Sequence, residues 1–204
     1  MLALLDNGQD LAQCEQEIGT PVGQLLTPLT RYRLREPLTR PFAIDNGGFK
    51  DLDVPGLMSL LAREAKHREN CLFVAAPDVV GSAQRTLELF AHFAPMLDGW
   101  RIALVCQDGQ EMLPIPWQQI SAVFIGGSTS WKCSQHVEQI IKTAKILGKH
   151  VHAGRVNTPE RWSWFEEQGV DSADGTGLAR YSHMRKAVAD RGQQSTLFGT
   201  GEAA

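Results

Sequence analysis

Five short apolar stretches of the sequence end in acidic, amide or glycine residues, and these ends hold the groups that could do chemistry. The stretches and the residues that end them are 42–44 with Asp45, 72–76 with Asp78, 102–106 with Gln107, 122–125 with Gly126 and Gly127, and 170–173 with Asp174. A short apolar run bounded by turn residues is typical of a buried strand. Carboxylates gathered at strand ends can transfer protons or attack an electrophilic carbon. Each acid taken alone could instead cap a helix or shape a turn, which is a common role of aspartate after a strand.

The order of the elements predicts how these groups are brought together. The sequence predicts eight strands, most of them followed by a helix. This alternation indicates a parallel sheet whose strands are joined by crossover helices. In a (β/α)8 barrel such strands present their polar residues at one end, where the site lies. We predict an α/β fold, a compact single-domain TIM barrel over residues 1–191, followed by a flexible tail over residues 192–204.

The predicted boundaries follow from apolar spacing and from turn residues. Strands are predicted at 1–5, 23–27, 42–45, 72–76, 102–106, 122–125, 150–153 and 170–173. Helices are predicted at 11–18, 54–67, 82–93, 134–147 and 178–190, with another opened by Thr158 and Pro159. The prolines at 114 and 116 leave room there for only a short helix, and residues 28–41 are predicted to be a basic loop.

Composition limits the class of protein. The chain has 204 residues and 43% hydrophobic residues, which suits one domain with a sizeable core. Its net charge of −3 means that a nucleic-acid partner would need a local basic patch. The four cysteines show no CxxC spacing, which argues against a zinc knuckle and a disulfide framework and favours a reducing cytoplasm. We see no signal peptide and no membrane-spanning run.

The basic loop is the first candidate for such a patch. Arg31, Arg33, Arg35 and Arg40 lie just before the strand that ends at Asp45. If the strand order is right, this loop lies at the same end of the barrel as the acids. Phosphate binding is one interpretation and an ordinary solvated loop is the other.

The motifs at the strand ends resemble those of a known family. Asp45-Asn46-Gly47-Gly48-Phe49, Asp78, Gln107, Ile125-Gly126-Gly127, Ala153-Gly154 and the segment from Gly169 to Asp174 stand in the order found in tRNA-guanine transglycosylases. The resemblance runs from about residue 42 to Arg180. Enzymes of that family exchange a guanine in nucleic acid for a 7-deazaguanine base without cutting the backbone. The resemblance also implies a barrel fold.

The resemblance implies catalytic roles for two acids. By position, Asp174 resembles the nucleophile that attacks the anomeric carbon and holds the sugar covalently. Asp45 resembles the general acid/base that protonates the departing base and deprotonates the incoming one.

The resemblance also implies binding roles. Asp78 would accept two parallel hydrogen bonds from a guanine-like edge, and Asn46 would bind the base beside it. Gln107 and the backbone N–H of Gly127 would donate to the carbonyl oxygen of the base. Gly126, next to Gly127, would allow the base to come close. The remaining implied roles are a pocket wall for Ala153 and Gly154, and nucleic-acid contacts for Arg180 and Arg155.

Departures from the family pattern favour DNA over tRNA. The family's tRNA enzymes carry a zinc cluster after the nucleophile, but no cysteine follows Cys133 here, and the chain ends 30 residues after Asp174. Asn46 and Lys50 also replace the usual serine and glutamine. The chain therefore resembles the compact branch, without a zinc subdomain, that inserts 7-deazaguanines into DNA and is often encoded by phages or genomic islands.

The predicted function is thus exchange of guanine in DNA for a 7-deazaguanine derivative in the cytoplasm of a bacterial or phage-infected cell. The expected partners are DNA and the free base, with no cofactor, metal ion or membrane. A tRNA enzyme, a hydrolase that releases the base, and a noncatalytic base-binding subunit stay open as alternatives. Barrels of this family often dimerise, so a homodimer is open too.

Three further features have both a functional and an ordinary interpretation. A target base in a duplex must be flipped out, and Trp131 or Tyr181 could fill the gap. The peptide from Gln194 to Phe198 resembles the short motif that hooks bacterial DNA enzymes to the sliding clamp, or is a chance pentapeptide. His152 could shuttle protons, but a buried strand histidine is more often a satisfied core residue.

Overall fold

Eight parallel strands close into a barrel in the order in which they occur in the chain. The computed structural model describes residues 1–6, 10–34, 36–48 and 52–198, with side chains described as far as residue 191. The strands are β1 Leu2–Leu5, β2 Val22–Leu26, β3 Phe42–Ile44, β4 Cys71–Ala75, β5 Ile102–Cys106, β6 Ala122–Ile125, β7 His150–Ala153 and β8 Ser172–Asp174. The predicted α/β (β/α)8 barrel is therefore confirmed.

Eight α-helices lie in the described part of the chain. They are α1 Leu11–Ile18, α2 Val54–Glu64, α3 Ala83–Phe93, α4 Thr129–Lys132, α5 Gln135–Ile146, α6 Pro159–Glu167, α7 Thr176–Arg180 and α8 Ser182–Phe198. Several begin at a side-chain cap: the side chains of Ser82, Ser134 and Thr158 each accept an N–H from the first helical turn, and Thr158 is the cap that the sequence predicted. None of the described helices has the length and apolar character needed to cross a bilayer.

The helices differ from the predicted pattern at three places. No helix forms at Pro114 to Trp117, where two prolines remove backbone donors; the β5–β6 connection instead holds a 3-10 turn, Gln110–Met112. The short helix α4 was not predicted. The single closing helix is divided at Tyr181 into α7 and α8, and α8 continues to Phe198 across the predicted boundary at residue 191. The division into a domain and a tail stays a prediction.

Successive side chains along each strand point alternately into the barrel and out toward the helices, which produces two apolar layers. Leu4, Leu25, Ala43, Phe73 and Phe124 belong to the cluster that fills the barrel interior. Residues at the alternate positions pack outward against the helices in a second, larger cluster. The pairing of Leu4 with Asp174 places the end of β8 over the interior cluster.

The last helix returns to the first one and closes the ring. Arg185 of α8 is buried, and its guanidinium donates to Glu17 Oε2 of α1 at 2.6 Å and to the carbonyl of Leu178 at 2.8 Å. Because Leu178 lies in α7, this contact fixes the segment that directly follows Asp174.

Candidate active site

A cavity of about 250 Å³ opens at the carboxyl ends of the strands. Apolar side chains form its floor, and polar groups from the strand ends surround its mouth. Of the predicted site residues, the structure brings together Asp45, Asn46, Asp78, Gln107, Gly126, Arg155 and Asp174 as lining residues. The carboxyl end of a barrel is where enzymes of this architecture carry their sites.

Asp174 is the last residue of β8, and both of its oxygens have protein partners. Oδ2 lies 3.0 Å from Nε2 of His152, and Oδ1 accepts the backbone N–H of Arg155 at 3.1 Å. The side chain is 16% exposed, toward the cavity. A carboxylate held in this way has one accessible face and a fixed direction, which suits a nucleophile.

Arg155 holds Asp174 through an unusual backbone conformation. Its φ of 56° lies in the left-handed region, which residues other than glycine seldom adopt and which is found at functional sites. Its guanidinium donates to the carbonyl of Gly127 at 2.8 Å and lines the cavity. Arg155 therefore lies inside the site rather than on an outer surface, and its contact with nucleic acid stays a prediction.

Asp45 follows β3 and is held in an environment that keeps its proton. Its Oδ1 accepts the N–H of Gly47 at 3.1 Å. Burial first, and then the charge of Asp174, raise the pKa of Asp45 from 3.8 to about 7. A carboxyl group with this pKa can give and take a proton at neutral pH, as a general acid/base must.

Asp78 is fixed by two amide side chains. Its Oδ1 accepts from Nδ2 of Asn46 at 2.8 Å, and its Oδ2 accepts from Nε2 of Gln107 at 2.6 Å. Burial raises the pKa of Asp78, although both hydrogen bonds oppose that shift. Each carboxylate oxygen keeps a lone pair that a ligand can use.

The amides beside Asp78 are committed to the protein, which corrects their predicted roles. The Oε1 atom of Gln107 accepts the N–H of Gly127 at 2.9 Å and that of Gly81 at 3.0 Å. The second hydrogen on Nδ2 of Asn46 goes to the carbonyl of Ala76 at 2.7 Å. The Gly127 N–H is therefore used within the protein, and Asn46 orients Asp78 instead of binding substrate through its own donors, while Gln107 lines the cavity and has a second hydrogen on Nε2 beside the one given to Asp78.

The glycines allow close approach of strands and loops. A Cβ on Gly126 would stand 2.8 Å from Nε2 of Gln107. A Cβ on Gly154 would run into the Phe124 ring and come within 3.4 Å of Oδ2 of Asp174. Ala153 does not form a pocket wall as predicted, because it packs in the outer layer between barrel and helices.

Sequence reasoning missed Lys132, a buried cation next to the site. Its Nζ donates to the carbonyl of Gly154. Burial, and then the charge of Arg155, lower its pKa to about 8, while Asp174 opposes that shift. A lysine in a polar turn is ordinarily exposed, so the type and position of Lys132 carried no signal of this role.

The other predicted basic residues lie outside the cavity. Arg31, Arg33 and Arg180 are exposed, and Arg180 ends α7 shortly after Asp174. Arg40 is tied to Glu15 Oε2 at 2.6 Å and to the Val22 carbonyl, which makes it structural. Arg35 lies outside the described residues.

The two candidates for filling the gap left by a flipped base differ in exposure. Trp131 is buried and its Nε1 donates to Glu111 Oε2 at 2.8 Å, so it cannot enter a duplex. Tyr181 is 52% exposed and stacks on His183 with ring centroids 5.5 Å apart. The side chains from Gln194 to Phe198 are outside the described set, so the clamp-binding motif stays a prediction.

Comparison with known proteins corrects the family assignment. No family model and no curated protein matches the chain. Among 222 similar chains of known structure, one is a KDPGal aldolase that is 13% identical, with a TM-score of 0.45 over 97% of this chain and 96% of that one. By these comparisons, the predicted membership of the tRNA-guanine transglycosylases is wrong.

Proposed function

We propose that the protein is a base-exchange pentosyltransferase that replaces guanine in DNA with a 7-deazaguanine derivative through a covalent aspartyl–sugar intermediate. One observation carries the proposal: the cavity holds two carboxyl groups in different surroundings. Asp174 has both oxygens engaged by protein groups, whereas burial and the charge of Asp174 raise the pKa of Asp45 to about 7. Two carboxyl groups in different surroundings can divide the work of nucleophile and proton donor.

The first half of the reaction uses both acids. An oxygen of Asp174 attacks C1′ of the target nucleotide, the bond from C1′ to the base nitrogen breaks, and the base takes its electrons. The proton of Asp45 goes to the departing base, so guanine leaves neutral and Asp45 becomes a carboxylate.

The second half reverses these steps with a different base. The incoming 7-deazaguanine gives its ring N–H proton to Asp45, its nitrogen attacks C1′, and the bond to Asp174 breaks. Because the pKa of Asp45 is about 7, the same group can donate in the first half and accept in the second.

Asp78 supplies base recognition. Its two oxygens are fixed by Asn46 and Gln107, and they retain lone pairs for two parallel N–H donors such as those of a guanine edge. The apolar residues Val105 and Phe124 line the same cavity and suit the face of a planar base. Guanine and 7-deazaguanine share this donor edge, so one pocket serves both halves of the reaction.

Exposed arginines support a polynucleotide substrate. Arg31 follows Thr27, which lines the cavity, and Arg180 ends helix α7, whose first residue Thr176 also lines it, so both are close in the chain to lining residues. Cations at these places would hold phosphates while the target base enters the pocket. Tyr181, next to Arg180, would occupy the space that the flipped base leaves.

Incorporation of radiolabelled 7-deazaguanine into purified polymers tests the proposal. We expect label in DNA with the wild-type protein, none with Asp174→Asn, and strong loss with Asp45→Asn. The matched control is Asp108→Asn, an acid at the same end that is bonded to Ser128 and does not line the cavity.

Each other result would refute a defined part of the proposal. Label in tRNA alone would overturn DNA as the substrate. Release of guanine without incorporation would indicate a hydrolase. Base binding without either reaction would indicate a binding subunit, and exchange by Asp174→Asn would overturn the assigned nucleophile.

A further inference from the structure

A continuous line of hydrogen bonds runs from Asp174 down through the barrel interior. Nε2 of His152 lies 3.0 Å from Oδ2 of Asp174, and Nδ1 of the same ring lies 2.9 Å from Oγ of Ser172. That oxygen in turn lies 2.8 Å from Nε2 of His150. Two strands, β7 and β8, supply all four side chains, and His150 is at the opposite end of the line from the cavity.

The surroundings of this line are apolar. His152 and Ser172 are fully buried. The His152 ring packs against the rings of Phe73 and Phe124, with centroid distances of 4.9 and 4.5 Å. Because an unpaired polar atom in such a place is costly, each bond along the line depends on the next.

The donors and acceptors of the line have a defined order. In the proposed reaction Asp174 acts as a carboxylate, which can only accept, so Nε2 of His152 carries the hydrogen between them. In the neutral ring, Nδ1 then accepts from the Ser172 hydroxyl, and the Ser172 oxygen accepts from Nε2–H of His150. Burial, and then the neighbouring His152, lower the pKa of His150 to about 4, so His150 is neutral at pH 7.

Charged groups lie at both ends of the line. Arg155, after β7, and Lys132, at the end of α4, act on Asp174, and Asp45 acts on it from the residue after β3. At the other end, Asp171 and Lys145 act on His150.

We propose that His152 is a positioning residue for Asp174, and that Ser172 and His150 hold its ring in the tautomer that donates from Nε2. His152 fixes one oxygen of Asp174 and leaves the carboxylate aimed into the cavity. As a statement about catalysis this rests on the proposed function, in which Asp174 is the nucleophile. The arrangement also gives a reason for the presence of two histidines and a serine inside an otherwise apolar barrel.

A pair of amide variants separates positioning from mere packing. The amide nitrogen of glutamine reaches the place of Nε2 in histidine, whereas that of asparagine reaches only the place of Nδ1. We expect His152→Gln to keep most of the exchange rate, and His152→Asn to lose about 10- to 100-fold, the range found for partners that orient reactive groups. The loss should fall on kcat and leave KM for the base unchanged, because His152 does not line the cavity.

Nitrogen NMR of the histidine rings tests the same proposal without any activity. Long-range ¹H–¹⁵N spectra of the full-length protein at pH 7 should show His150 as a single neutral Nε2–H tautomer and His152 with its hydrogen on Nε2. In Ser172→Ala, His152 loses its hydroxyl donor and we expect tautomer averaging in both rings.

The two readouts distinguish failure of the inference from failure of the proposed function. A wild-type spectrum with hydrogen on Nδ1 and none on Nε2 of His152 would overturn the inference, whatever the reaction is. Equal exchange rates for the glutamine and asparagine variants would also overturn it. Absence of exchange in the wild type, together with the expected tautomers, would refute the pentosyltransferase and leave the positioning of Asp174 standing.

Discussion

Replacing Asp45 with asparagine tests the electrostatics of the site through folding stability alone. The folded-state pKa of Asp45 is raised from 3.8 to about 7, first by burial and then by Asp174. Below about pH 4 the carboxyl group is protonated in both the folded and the unfolded chain, so it has no effect of this kind. Between about pH 4 and pH 7 the unfolded chain releases this proton while the folded chain keeps it, and the free energy of unfolding falls as the pH rises.

The size of the effect follows from the two pKa values. A difference from 3.8 to about 7, at about 1.4 kcal/mol for each pH unit, corresponds to at most ~4 kcal/mol. Asparagine has no proton to lose in this range. We therefore expect Asp45→Asn to gain stability relative to the wild type by up to ~4 kcal/mol on going from pH 4 to pH 8. Urea denaturation at pH 4.5, 6 and 8 measures the difference.

A second acid at the same end of the barrel provides the control. Burial alone would raise the pKa of Asp108, but the hydrogen bonds from Ser128 outweigh the effect of burial, and the pKa is lowered. Its contribution to stability is therefore present above about pH 4 and is lost only as the pH falls below 3.8, so Asp108→Asn should differ from the wild type by a nearly constant amount between pH 4.5 and 8. A stability difference between Asp45→Asn and the wild type that stays constant from pH 4.5 to 8 would refute the reasoning about this site.

Three other substitutions have defined expectations. Asn46→Ala should cost ~1–3 kcal/mol in urea denaturation and weaken base binding in a calorimetric titration, because Asp78 loses one of its two amide donors; unchanged base affinity would contradict this. Gly154→Ala should lower the free energy of unfolding by ~1–3 kcal/mol in thermal denaturation, because the added Cβ meets the Phe124 ring. An unchanged free energy of unfolding would contradict this and would mean that the ring moves aside. Lys132 has a folded pKa of about 8 against 10.5, so the wild type should gain up to ~3 kcal/mol relative to Lys132→Met between pH 8 and 10.5, and parallel pH profiles in denaturation would contradict this.

The barrel and the location of its acids could be predicted because both depend on local pattern. Apolar runs that end in Asp45, Asp78 and Asp174 identify strands and, once the strands are parallel, a common end. The outward position of Ala153 was also within reach, since strict alternation puts it on the opposite face from His152.

The internal partners of the site could not be predicted, because they join residues far apart in the chain. Gln107 bonds to Gly127, 20 residues away, and to Asp78, 29 residues away. Such contacts depend on loop conformation, which apolar spacing does not determine. A glutamine at a strand end has the same sequence signature whether it binds a ligand or bridges two loops.

The break at Tyr181 and the burial of Lys132 escaped prediction for a related reason. Both follow from how α7, α8 and the β6–α4 segment pack on the barrel end, and tertiary packing overrides local propensity there. The resemblance to a known family located the acids of the cavity, yet it supplied a family that the comparisons do not support.

Trapping of a covalent intermediate tests the central claim most directly. Purified protein is mixed with guanine-containing DNA, or with tRNA in parallel, and is denatured before electrophoresis and peptide mass spectrometry. We expect a protein–DNA adduct on the peptide that contains Asp174, absent in Asp174→Asn and present in Asp108→Asn. An adduct on any other residue, or exchange activity that persists in Asp174→Asn, would contradict the account.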